Sequence, residues 1–340
     1  MRRTYLLLFT VVCLPVFGCS LETNGARPDT SGGLGGSGAT GGMGGASSSS
    51  GSAGAGGVGG MGGAGGMGGM GGAGGMGGAG GMGGAGGMGG AGGGGPTCPT
   101  NSTPMVLVQG PQGPYCIDAT EVTSAQYNMW LATAQVNPND PQCGWKQNYA
   151  PRAVGNQCNA SHFDPGQKPN FPVSCVDWCD ARAFCEGVGK RLCRGLAGQA
   201  INYGEFADPQ KSEWTFACSE GGQRNYPYGD EFVEERCVDD AFDGSLNAGS
   251  GDPELTKAAT TCEGGFAGLF DMSGNVWEWE DVCEADTDDN PRNDRCRDRG
   301  GSFWDQEYYL SCTSPSVNRE RDNYNKNVGI RCCADALGMP

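Results

Sequence analysis

From Ser31 to Gly95 the chain is almost wholly Gly, Ala, Met and Ser, with no charged and no aromatic side chain. Such a stretch cannot bury enough apolar surface to offset its backbone entropy. It therefore splits the 340 residues into a short N-terminal segment, a linker and a foldable remainder from Pro96 to Pro340. That remainder is long enough for one large domain with its own core. The linker's GGMGGA repeat has the composition of a flexible chain, with an r.m.s. span of ~45 Å for about 65 residues. Its methionines are soft ligands with no His or Cys beside them, so it reads as a tether and not as a copper site.

Cysteine constrains the remainder next. Sixteen of the 18 cysteines lie between Cys98 and Cys333. That density, in an even number, reads as a disulfide-stapled domain made outside a reducing compartment, although spacing does not give the pairing. Three of the 22 basic and two of the 38 acidic residues precede Pro96, which leaves the domain with a formal charge of −17. An acidic domain disfavours nucleic acid and a docked anionic membrane surface.

The N-terminus agrees with export. Arg2 and Arg3 precede an apolar run from Tyr5 to Phe17. As a helix that run is ~20 Å long, too short to cross a membrane. Val16-Phe17-Gly18-Cys19 resembles a bacterial lipobox, which implies cleavage after residue 18 and lipidation of Cys19; Ser20 then points to the outer membrane. The domain plan is a signal peptide at 1–18, a lipidated linker at 19–95 and a folded domain at 96–340.

Within the domain the periodic islands are short. Met105–Gly110 reads as a strand. Tyr115–Ala134 starts extended and continues as a helix opened by Thr123, with Tyr127, Trp130 and Leu131 on one face. Val173–Val176 is extended, Asp177 caps a second helix facing inward through Ala181, Phe184, Cys185 and Val188, and Gly189 stops it. Lys211–Gly222 is a third helical piece. Trp277 and Trp279 alternate as in a core strand. Helices, scattered strands and long loops predict an α+β fold clamped by disulfides or cations.

The islands IDATEVTSAQY, PVSCVDWCDARAFCEGVGKRL, SEWTFAC, YPYGDE, GLFDMSGNVWEW, RGGSF and VGIRCC stand in the order seen in the sulfatase-modifying-factor family. On these motifs the chain resembles the formylglycine-generating enzymes from about Met105 to Ala334. The resemblance implies a fold related to C-type lectins, with little regular secondary structure. Gly195–Gln210 is an insertion relative to that pattern, and the first strand pair is shortened near Gly110–Pro114.

The family's oxidases hold copper on two cysteines after the GGS motif. The matching positions are Asp305 and Leu310, which carry no sulfur, so copper is not expected. Cys312 falls two positions late and reads as a disulfide partner. A histidine-held iron site is not expected either, because His162 is the only histidine and reads as a surface loop residue. The resemblance also implies calcium at Asp271, Gly274, Val276 and Glu278, two carboxylates and two backbone carbonyls of the oxygen-only kind that calcium takes. A looser second site would fall at Val238, Asp239 and Asp240. Asp286–Arg297 begins like a calcium loop but has Pro291 and Arg297 where Gly and Glu are required, so it reads as a solvated acidic loop. The expected function is a calcium-stabilised, non-catalytic module on an exported lipoprotein, binding a peptide or glycan near Phe303, Trp304, Tyr308 and Tyr309. The rival is a divergent oxidoreductase or protein-modifying enzyme with a relocated thiol pair, which a count of free thiols distinguishes.

Overall fold

The computed structural model describes residues 95–100, 103–242, 251–315 and 317–338. The signal segment, Cys19 and the glycine tract up to residue 94 lie outside the described residues.

Strands β1 (Met105–Gly110) and β2 (Gly113–Asp118) form a tight hairpin with Gly110 opposite Gly113. Helix α1 (Ser124–Leu131) opens on a capping box. The Thr123 hydroxyl accepts from the Gln126 amide, and the Gln126 side chain accepts from the Thr123 amide. A short ribbon follows, β3 (Val154–Gly155) with β4 (Cys158–Asn159). Helix α2 (Trp178–Gly187) has the same reciprocal cap from Asp177 and Asp180, and the chain leaves it through Gly189 at φ +74°. Then come β5 (Arg191–Leu192), α3 (Glu213–Ser219), β6 (Trp277–Glu284), β7 (Arg295–Arg299), α4 (Glu307–Leu310), β8 (Arg319–Glu320), β9 (Val328–Gly329) and β10 (Cys332–Asp335). The architecture is α+β with little regular structure, as the short periodic islands and long loops predict.

Two four-stranded sheets organise the domain. One has the order β1-β2-β10-β5 and is antiparallel; the other is β8-β7-β6-β9, with β9 parallel to β6. The larger apolar core joins α1 and α2 to β6. Tyr127, Trp178, Phe184, Trp277 and Trp279 are all buried in it. The alternating tryptophans are therefore core residues of β6 and not a surface platform.

All sixteen described cysteines are paired. The bonds are Cys98–Cys116, Cys143–Cys179, Cys158–Cys175, Cys185–Cys332, Cys193–Cys333, Cys218–Cys312, Cys237–Cys262 and Cys283–Cys296. Eight such bonds fit folding outside a reducing cytosol. Among the described residues, no helix is long and apolar enough to cross a membrane.

One expectation is corrected here. His162 is 7% exposed and not a surface residue. Its Nδ1 accepts from the Asn159 amide, and its Nε2 lies 3.2 Å from the Asp252 carboxylate. A loop histidine is buried here because both ring nitrogens find partners, which satisfies the cost of removing them from water.

Candidate functional site

The turn after β7 is built by Gly300 and Gly301, both with positive φ of +92° and +75°. A Cβ on Gly301 would sit 2.7 Å from Leu310 Cδ2 and 2.9 Å from the Tyr309 carbonyl oxygen, so the turn closes onto α4 only with glycine there. Ser302 then donates to the Asp305 carboxylate at 2.6 Å, and the Trp277 indole also bonds it. Burial lifts the Asp305 carboxyl above its ordinary range, against the pull of those two donors. Leu310 is 1% exposed, and its carbonyl accepts from the Ser273 hydroxyl at 2.8 Å. Cys312 is buried, bonded to Cys218, and its carbonyl accepts from buried Arg299 at 2.7 Å. The positions matching the copper cysteines are thus a structural carboxylate and a packed leucine.

The four aromatic residues of this stretch do not share one surface. Phe303 is buried in a satellite core with Val238 and the Cys237–Cys262 bond. Trp304 tilts against Phe303 with ring centroids 5.1 Å apart, under the Lys326 ammonium at 4.9 Å. Tyr309 meets Trp277 edge-on at 5.8 Å. Tyr308 alone points outward, at 67% exposure. It lines a cavity of about 420 Å³ with Tyr226, Glu307, Thr313 and Pro315. Glu307 also borders a second cavity of about 260 Å³ with Phe232, Glu234, Asp240 and Gln306. Tyr226 and Phe232 belong to the YPYGDE region, whose clustered aromatics and turn glycine were the available signal.

The GNVWEW turn holds a dense charge cluster. Asp271 sits at φ +58° and is 2% exposed; Oδ2 accepts from the Lys257 amide at 2.6 Å, while buried Oδ1 has no hydrogen-bond partner. Gly274 takes φ +80°, and a Cβ there would fall 2.2 Å from the Val238 carbonyl oxygen. Glu121 accepts from the Asn275 side chain at 2.9 Å and from the Val276 amide at 3.2 Å. Glu278 accepts from Arg331 Nε on both oxygens at 2.8 Å and from the Trp214 indole at 2.6 Å. Burial first, then the charges of Asp271 and Glu278, raise the Glu121 carboxyl well above its usual range. Burial pushes Asp271 up to about 6.

Three buried carboxylates therefore face one buried guanidinium. The charge excess and the unpartnered Asp271 Oδ1 fit a hard cation. Glu278 fits it less well, since Arg331 and Trp214 already occupy its oxygens. Among the described residues no group of three or more His, Cys, Asp or Glu side chains is arranged to hold a metal ion, so a cation here would need backbone carbonyls. At the looser second position, Asp239 accepts from the Glu235 and Ala241 amides, and Asp240 accepts from Gln306. Asp239 is a turn former there. In the acidic loop, Asp288 and Asn290 are exposed and bond only neighbouring residues.

Comparison with known proteins adds the following. Mouse formylglycine-generating enzyme is 28% identical over 187 residues, covering 50% of this chain and 46% of that protein. Bovine inactive C-alpha-formylglycine-generating enzyme 2 is 28% identical over 192 residues, 51% of this chain and 53% of that one. The chain thus spans about half the length of the curated relatives it matches. The structure of PvdO from Pseudomonas aeruginosa aligns with a TM-score of 0.44 at 17% identity, over 66% of this chain and 81% of that one. The family model of the sulfatase-modifying factor enzyme 1-like domain matches residues 82–336. That range takes in both sheets, the buried GNVWEW strand and the RGGS turn, and by it the chain belongs to the sulfatase-modifying factor enzyme 1-like family.

Proposed function

We propose that this domain is a non-catalytic member of its family that binds a peptide, carried on an exported lipoprotein. Similarity is equal to a formylglycine-generating enzyme and to a relative named inactive, so the reading rests on residues. The observation that carries it is the state of sulfur around the RGGS turn. Asp305 and Leu310 have none, and Cys312, the nearest cysteine in sequence, is locked to Cys218. Copper(I) chemistry needs soft thiolate ligands, and each described cysteine is spent on a disulfide.

The binding face we favour is the pair of cavities that meet at Glu307. Their volumes suit adjacent side chains of an extended peptide, with Tyr308 as the exposed anchor. Calcium, in this reading, stabilises the GNVWEW turn through Asp271 and the carbonyls of Gly274 and Val276, while Glu278 stays with Arg331. Such an ion would supply positive charge that the three carboxylates lack. Export, lipidation at Cys19 and an outer-membrane address complete the proposal.

The test uses the full-length chain. Alkylation under denaturing, non-reducing conditions, read by mass spectrometry, should find no free thiol from Cys98 to Cys333. The copper-treated protein should not consume dioxygen with a cysteine peptide. A displayed peptide library should enrich binders that Tyr308→Ala releases without lowering Tm. Stoichiometric copper with turnover of the cysteine peptide would overturn the proposal, and so would enrichment on a glycan array with no peptide binder.

A further inference from the structure

A third pocket differs in charge from the rest of the domain. It holds about 220 Å³ and is lined by Trp145, Lys146, Gln147, Asn148, Arg152 and Arg292. Three of those six residues are cationic and none is a carboxylate, in a domain of formal charge −17. At ~30 Å³ of liquid volume per water, the space is on the order of seven waters. That admits a small ionic group and not a whole macromolecular segment.

The cations are held in three different ways. Lys146 is buried, its ammonium fixed between Asp177 at 2.6 Å and Asp180 at 2.5 Å. Arg292 stacks over the Trp145 ring at 4.9 Å and gives Nε and one terminal nitrogen to Asp322. Among the described residues its remaining terminal nitrogen has no hydrogen-bond partner. Arg152 lies over the Tyr324 ring at 5.3 Å, and its nearest carboxylate, Asp177, is 3.7 Å away, beyond hydrogen-bond reach. One terminal nitrogen is thus ion-paired to Asp177, and among the described residues the guanidinium donates no hydrogen bond, so its donors remain available to a ligand. Asn148 spends its side-chain oxygen on the Ala150 amide and keeps its NH₂. The Gln147 oxygen is the one side-chain acceptor of the lining not already used.

Donors with acceptors spent elsewhere, set on aromatic rings that fix their direction, make a receptor for negative oxygen. We propose that this pocket binds an oxyanion group, a sulfate, phosphate or carboxylate, carried on a larger ligand and gripped by Arg152 and Arg292. The site is separate from the cavities at Glu307 and does not depend on the function proposed for them.

The experiment titrates the full-length chain with sodium sulfate, inorganic phosphate or sodium acetate, each at constant ionic strength set with sodium chloride. Calorimetry and the shift in Tm report binding. One saturable equivalent is expected. Arg152→Gln and Arg292→Gln should each weaken it about tenfold or more, as loss of a charge-assisted pair does. Arg152→Lys should fall between wild type and Arg152→Gln, because it keeps charge and loses the fork. Lys168→Gln, the same charge change outside the pocket, should bind like wild type. Tm without added anion verifies that each variant folds. Preference for sulfate or phosphate assigns an ester as the source of the anion, and preference for acetate assigns a carboxylate. Equal binding by wild type and the Arg152→Gln/Arg292→Gln double variant would overturn the proposal, as would a response no greater than that to chloride alone.

Discussion

Arg331 lies against Glu278 with Nε at 2.8 Å from both carboxylate oxygens, and its two terminal nitrogens reach the Asp118 and Phe270 carbonyls at 2.7 Å each. One side chain thus joins β10's entry, β2 and the GNVWEW strand. Breaking one partner of a buried pair leaves the other charge without compensation and costs about 3–5 kcal/mol. Glu278→Ala should lower unfolding stability by that order in urea, and Arg331→Met should do at least as much, since three carboxylates then lose their cation. Additive losses in the double variant would contradict the pairing.

The Cys218–Cys312 bond closes a separation of 94 residues and fixes the segment after α4 to α3. Removing it as Cys218→Ala/Cys312→Ala should cost about 2–4 kcal/mol, read by chemical denaturation. Copper uptake should not change, because the pair is a staple here.

Buried acids set the pH response. Burial raises Asp118 from 3.8 to about 6, against Lys190, and raises Glu280 from 4.5 to about 7, against Arg299. An acid with a raised folded-state pKa takes up its proton more readily when folded. Its contribution to stability is full below the unfolded value and is lost as pH rises through the folded one. In EDTA, Tm should therefore be higher at pH 5 than at pH 8. A Tm that rises steadily from pH 5 to pH 8 would contradict this.

Calcium should act against that slope. Burial pushes the Asp271 carboxyl up to about 6, so protons compete with a cation for it near that pH. Added calcium should raise Tm more at pH 8 than at pH 5, and Asp271→Asn should abolish the increment. An equal increment in the variant would remove calcium from this turn.

Much of the local structure was legible. The caps at Thr123 and Asp177, the stop at Gly189 and the core role of Trp277 and Trp279 follow from residue chemistry that acts within a few positions. Strands β5, β8 and β9 were not legible, because two residues carry no periodicity. Nor were the buried charges. Nothing local distinguishes Lys146 or Arg331, whose partners lie 31 and 53 residues away, from solvated cations. The aromatic stretch after the RGGS turn was recognisable as a unit, but which of its rings face outward depends on the tertiary packing of Phe303 against Val238 and Tyr309 against Trp277.

Strand β10 sits between β2 and β5, and its two adjacent cysteines reach back 147 and 140 residues to α2 and the end of β5. Neither covalent link can form before Cys332 and Cys333 have been synthesised and have met an oxidant. Closure of these two links therefore comes after the cysteines of the other six bonds have all been made. A chain interrupted between Cys193 and Cys332 would hold Cys185 and Cys193 without their native partners, open to mispairing.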